Sequence, residues 1–194
     1  MSADRERIER VVREVLDEAG HGPGPAGCQG ERPPGLAARR LAIGSDHGGF
    51  ALKETLKRYL TEELGYTVED LGTANDAPCD YPDFAVKVAR AVASGRVSRG
   101  IMIDGAGIGS AMAANKVPGV LAATCHDMKT AVGSREHNNA NVLTLGAGVV
   151  GRGLAIQMVR VWLATEFAGG RHERRVAKIR ELEGTWTEKS SSRG

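Results

Sequence analysis

Asp104 stands at the mouth of a glycine-rich turn, in "RGIMIDGAGIGSAMAANK" (99–116). Successive backbone N–H groups in such a turn form a concavity for anions, most often phosphate, which a carboxylate repels. The dinucleotide fingerprint asks for G-x-G-x-x-G, usually after the first strand. Here the glycines are Gly105, Gly107 and Gly109, after the third apolar run, and the sixth position is Ser110. Asp127 lies at the roughly 20-residue spacing of a ribose-binding acid, so spacing alone leaves nucleotide binding open. Charge weighs against it, because a pyrophosphate on this turn would face Asp104 with no Lys or Arg in the turn to compensate. A smaller ligand suits the same parts better. A carboxylate can take a proton from carbon while the turn holds the charge that develops on the neighbouring oxygen. That is the proton transfer of an aldose–ketose isomerase acting through an enediolate. Asp104 also has a plainer use, as a helix N-cap or loop-stabilising acceptor.

A phosphate on such a substrate needs its own anchor. Arg171 and Arg175 in "GGRHERR" are spaced i, i+4, on one helical face, and can form a clamp. Seen alone, such a pair is a solvated surface. His47, at the start of the first helix of the folded region, offers a further donor. His137 in "REHNN", taken alone, reads as a structural histidine at a helix end.

The elements that must carry these groups alternate. Short apolar strands are expected at 41–45, 66–72, 100–104, 119–125 and 140–146. Helices are expected at 49–64, 82–95, 110–115, 128–135 and 154–167, with a charged terminal helix over 171–183. Pro82 suits a first helical turn. This alternation predicts an α/β fold, a three-layer α/β/α Rossmann-like domain with a five-stranded parallel sheet. Asp46-His47, Asp104-Gly105 and Cys125-His126-Asp127 then fall at carboxyl ends of strands, where open sheets bind ligands.

The domain so defined spans 41–183, followed by a mobile tail at 184–194. Residues 1–20 read as an amphipathic helix with Ile8, Val11, Val12, Val15 and Leu16 on one stripe. Residues 21–40, rich in Gly and Pro, read as a flexible linker. The chain has 194 residues, with 26 Lys+Arg against 24 Asp+Glu. That near balance, without a dense basic tract, argues against nucleic acid or a membrane surface as partner. No apolar run is long enough for a bilayer and no secretory h-region opens the chain, so a cytoplasmic location is expected. Cys28, Cys79 and Cys125 show no metal-type spacing, and no metal is expected.

"IGSDHGGFALKETLKRYL", "DYPDFA", "GAGIGSAMAANKVPGVLAATCHD", "SREHNNANVLTLG" and "EFAGGRHERRVAKI" resemble the family that ribose-5-phosphate isomerase B shares with the galactose-6-phosphate isomerase subunits. The resemblance runs in order from Leu41 to Ile179. It implies no metal or organic cofactor, a sugar phosphate substrate, and a homodimer (or tetramer) with active sites shared at the subunit interface. By position, His137 matches the ring-opening histidine, and Asn138 a substrate contact. Asp46 and His47 match the pair that binds sugar hydroxyls and the phosphate end, and Arg171 and Arg175 match the phosphate arginines. Gly105, Ala106, Gly107, Ile108 and Gly109 match the enediolate loop, and Tyr81 a tyrosine near the site.

Three positions depart from the pattern. Asp104 replaces a common cysteine base, and Ser110 stands where another branch places a glutamate base. An aspartate at 104 resembles the A subunit of galactose-6-phosphate isomerase. Ala106 replaces a usual hydroxyl residue, and Gly148 a common substrate-binding arginine. Ribose 5-phosphate and ribulose 5-phosphate are the expected pair. A tetrose phosphate, galactose 6-phosphate, or a non-catalytic sugar-phosphate-binding role are the alternatives. The N-terminal segment resembles the encapsulation peptides of bacterial microcompartment cargo, which implies a shell protein as partner and a location inside a microcompartment.

Overall fold

The computed structural model describes residues 40–191, together with Arg10 and Arg13, and side chains as far as Glu183. The helix expected over 1–20 and the linker over 21–40 otherwise lie outside the described residues. Five strands form one sheet: β1 (Arg40–Ser45), β2 (Thr67–Asp70), β3 (Arg99–Asp104), β4 (Ala122–Thr124) and β5 (Val142–Gly146). Their order is β2-β1-β3-β5-β4 and every pairing is parallel. Six helices complete the domain: α1 (Phe50–Arg58, continued by a wide π-type turn at Tyr59–Glu63), α2 (Tyr81–Ala93), α3 (Ile108–Ala114), α4 (Met128–Glu136), α5 (Arg152–Ala164) and α6 (Arg171–Ser191).

Strand periodicity sorts the core into two faces. Leu41, Ile43, Ile101, Ile103, Leu143 and Leu145 point to one face, where they meet Leu56 and Leu60 of the first helical segment, Val132 of α4, and Met158 and Trp162 of α5. Ala42, Met102 and Val142 point to the other, under Ala85, Val88, Ala89 and Val92 of α2 and Ala114 of α3. The three-layer reading therefore holds. Element ends shift by a few residues, and α6 stays helical to Ser191, where a tail was expected from 184. No proline interrupts it, and Gly184 alone costs a helix only about 1 kcal/mol.

Because β1 leads outward to β2 and the chain then crosses back to β3, the topological switch point lies between β1 and β3. The turns after these two strands meet there. The opposite, amino edge of the sheet is organised by the buried Arg135 and the partly buried Arg99, both stacked near Trp162, with guanidinium carbons 5.5 Å (Arg99) and 5.9 Å (Arg135) from its ring. Arg99 Nη1 donates to the carbonyls of Trp162 (3.1 Å) and Leu163 (2.9 Å). Arg135 donates to the carbonyls of Thr165 (3.3 Å) and Ala140 (2.6 Å). The bonds to Trp162, Leu163 and Thr165 satisfy carbonyls left open where α5 ends at Ala164, short of the expected 167. Burial, and then the charge of Arg99, pull Arg135 down to about 10, still cationic at neutral pH.

Candidate functional site

At the switch point, Asp104 closes β3 and is only 4% exposed. Its Oδ1 accepts from the backbone N–H groups of Ala106 (2.8 Å) and Gly107. Its Oδ2 accepts from the N–H (3.0 Å) and the hydroxyl of Ser110. A carboxylate has about four lone-pair sites, and all are taken. The loop-stabilising role is therefore present in the geometry, and the turn's N–H groups are not all open to a ligand as expected. Those of Ala106, Gly107 and Ser110 face Asp104.

The turn is braced from outside as well. Thr124 Oγ1 donates to the carbonyl of Gly107 (3.1 Å), and Thr144 Oγ1 donates to Thr124 Oγ1 (2.9 Å). Gly148 N–H donates to the carbonyl of Gly105 (3.0 Å). Gly107 itself has φ +81°, a conformation that side chains disfavour. On α2, Tyr81 lies so close to Gly109 that a Cβ there would come within 2.5 Å of the ring's Cζ. Gly109→Ala is expected to fold but to swing Tyr81 away, raising KM several-fold with a smaller effect on kcat. Steady-state kinetics beside a thermal melt check this.

On the β1 side of the cleft, Asp46 Oδ1 accepts from Gly49 N–H (3.0 Å), and the exposed His47 projects beside it. His47 Nδ1 lies 3.2 Å from both the N–H and the carbonyl of Cys79. Nδ1 accepts from the first when it carries no proton and donates to the second when it does, so Nε2 faces outward in either tautomer. Asp127, weighed as a ribose-binding acid, accepts from Thr130 N–H (2.8 Å) in a capping box at the start of α4. That local duty explains it.

The other expected residues are elsewhere. His137 follows the end of α4, Asn138 beside it is exposed, and Arg171 and Arg175 open α6. Helices return from the carboxyl edge to the amino edge, so these residues gather where the strands begin. Gly100, at the start of β3, donates to the carbonyl of Asn141, three residues beyond Asn138. The two groups are separated by the length of β3, about 17 Å at ~3.3 Å per residue. One chain does not bring Asp104 and His137 together.

The amino-edge group has its own order. His137 stacks on His172, with ring centroids 4.5 Å apart and planes 14° apart. Its Nε2 is covered and lies 3.7 Å from Glu136 Oε2, which leaves Nδ1 as the nitrogen that can meet a ligand. Arg171 Nε donates to His172 Nε2 at 3.3 Å. Among the described residues no cluster of His, Cys, Asp and Glu is arranged to hold a metal ion, and no helix is long and apolar enough to cross a membrane. Glu136, Cys79, His172, Thr124 and Thr144 escaped the sequence reading. Only the adjacency of Glu136 to His137, and of His172 to Arg171, was visible in advance.

Residues 41–179 match the ribose/galactose isomerase family. This chain belongs to that family. Ribose-5-phosphate isomerase B of Escherichia coli is 44% identical over 145 residues, covering 75% of this chain and 97% of that protein. D-erythrulose-4-phosphate isomerase of Pectobacterium atrosepticum is 43% identical over 141 residues, covering 72% and 91% respectively. The solved ribose-5-phosphate isomerase B of Clostridium thermocellum superposes with a TM-score of 0.74 at 52% identity, over 76% of this chain and 99% of that one. The family frame thus covers both residue groups, the one at the carboxyl edge and the one at the amino edge.

Proposed function

We propose that this protein interconverts ribose 5-phosphate and ribulose 5-phosphate in a homodimer whose two sites each combine the carboxyl-edge group of one subunit with the amino-edge group of the other. The observation that carries the reading is the division of one family's complement of residues between opposite edges of a single sheet. A two-fold axis can set each edge against its counterpart, making two equivalent sites. Exposed Ile108 and Met112 on α3, Val149 just before α5 and Leu154 in its first turn offer an apolar surface next to the glycine turn for such an association.

In this arrangement Nδ1 of the partner's His137 gives a proton to the ring oxygen as the ring C–O bond at the anomeric carbon breaks, and the anomeric hydroxyl loses its proton to solvent as it becomes the open-chain carbonyl. Arg171 and Arg175 of the same partner subunit, with His47, hold the phosphate. Asp46 and Asn138 meet hydroxyls, and Tyr81 shields the turn. Asp104 takes the proton from one carbon and returns it to the next. For that, one of its four contacts must open, and the Ser110 hydroxyl is the donor that can rotate away without moving the backbone. The hydrogen moves as a proton and returns within the same molecule, so the reaction requires no cofactor.

The named tetrose-phosphate relative makes a four-carbon substrate the second reading. Gly148, whose Cβ would meet the Gly105 carbonyl at 3.0 Å, leaves that side of the cleft without a long cation. A coupled assay of the purified protein on ribose 5-phosphate, erythrose 4-phosphate and galactose 6-phosphate tests both readings. The largest kcat/KM is expected on ribose 5-phosphate. Tight binding of all three without turnover would establish a non-catalytic member. The proposed microcompartment role of residues 1–20 rests on the apolar stripe in their sequence.

A further inference from the structure

We infer that His172 is a positioning residue, its ring fixing the plane of His137 and its bond to Arg171 tying that plane to the phosphate end of the substrate. The inference deepens the isomerase reading and depends on it for its kinetic consequence alone. A guanidinium has donors only, so the Arg171–His172 contact makes His172 Nε2 an acceptor and puts its proton on Nδ1. The ring stacked on His137 is therefore neutral.

With His172 against its face and the Glu136 carboxylate near its covered Nε2, the His137 ring is held on one face and at one nitrogen, which leaves Nδ1 for a ligand. The backbone holds this stack in place. Ala168 N–H donates to the carbonyl of Glu136 (3.0 Å) and His172 N–H to that of Gly169 (3.1 Å). Gly169 and Gly170, at φ +62° and +55°, turn the chain sharply enough to lay His172 against α4. His172 is 8% exposed, so it works through His137 and does not itself present a face to substrate.

The test compares His172→Ala, which removes the stack, with His172→Phe, which keeps a flat ring but no acceptor. Three readouts are taken: the ring-proton chemical shifts of His137, steady-state kinetics in both directions, and the melting temperature. In the alanine variant the His137 ring protons lose the ring-current shift of the stack. Its kcat on the cyclic aldose phosphate falls about tenfold or more, as misplacement of a reacting group does. KM and the turnover of open-chain ketose phosphate change little. Phenylalanine restores the shift and most of the turnover. A rise in KM alone would make His172 a phosphate ligand, and losses of turnover that track an equal loss of melting temperature in both variants would make it a folding residue; either overturns the inference. Should the wild-type protein isomerise no sugar phosphate, the site reading fails separately, and the ring shifts still decide whether His172 orients His137.

Discussion

Mixing Asp104→Asn protein with His137→Asn protein, each inactive alone, restores isomerase activity to about a quarter of the wild-type level after the subunits exchange. The figure follows from two-fold symmetry. Random exchange makes half of the dimers mixed, and each mixed dimer holds one site with both defects and one with neither. No such recovery is possible if both residues act within one chain. The structure sets them on opposite edges of the sheet, the carboxyl end of β3 and the end of α4. Size-exclusion chromatography of both variants must first show dimers, and activity is then followed during mixing. A mixture of dimers that exchange subunits and stay inactive would end the shared-site proposal.

Asp104→Asn is expected to lower turnover by about 10²–10⁴-fold, the range for loss of a proton-transferring side chain. It is also expected to lower stability. The amide can accept at one end only, so whichever way it turns, an N–H of Ala106 and Gly107 or of Ser110 is left facing an NH₂ group. Stranding one buried donor costs about 1–3 kcal/mol. Ser110→Ala separates the two duties of Asp104. It removes the hydroxyl contact while leaving the carboxylate and three N–H bonds in place. As proton acceptor, Asp104 loses little from that change, and Ser110→Ala keeps turnover within about tenfold of wild type, far above Asp104→Asn. If Asp104 only shapes the turn, the two variants fall together in proportion to their loss of stability. Thermal melts paired with kcat for both variants decide between these outcomes.

The elements were legible because their signals are local. Alternating apolar runs marked β1, β3 and β5, and helical stripes marked α1, α2 and α5, since burial of one face imposes the period. The turn at Gly105–Gly109 was legible because glycine at φ +81° leaves a mark on composition. The i, i+4 spacing of Arg171 and Arg175 showed that they share a face. Helix ends were less legible. The end of α5 is met by Arg99 and Arg135, which lie 63 and 27 residues before Trp162 in the chain yet cap its last carbonyls or those just beyond.

The two facts that matter most for chemistry belong to the tertiary structure. Whether the lone pairs of Asp104 are open depends on where Ser110 is carried by the first turn of α3. Sequence shows a serine six residues on, but not its direction. Whether His137 faces Asp104 depends on the sheet order β2-β1-β3-β5-β4 and on α4 returning its chain to the amino edge. Sequence names both residues without telling which edge each occupies relative to the other. Packing of non-local elements fixes that separation, and no short-range pattern encodes it.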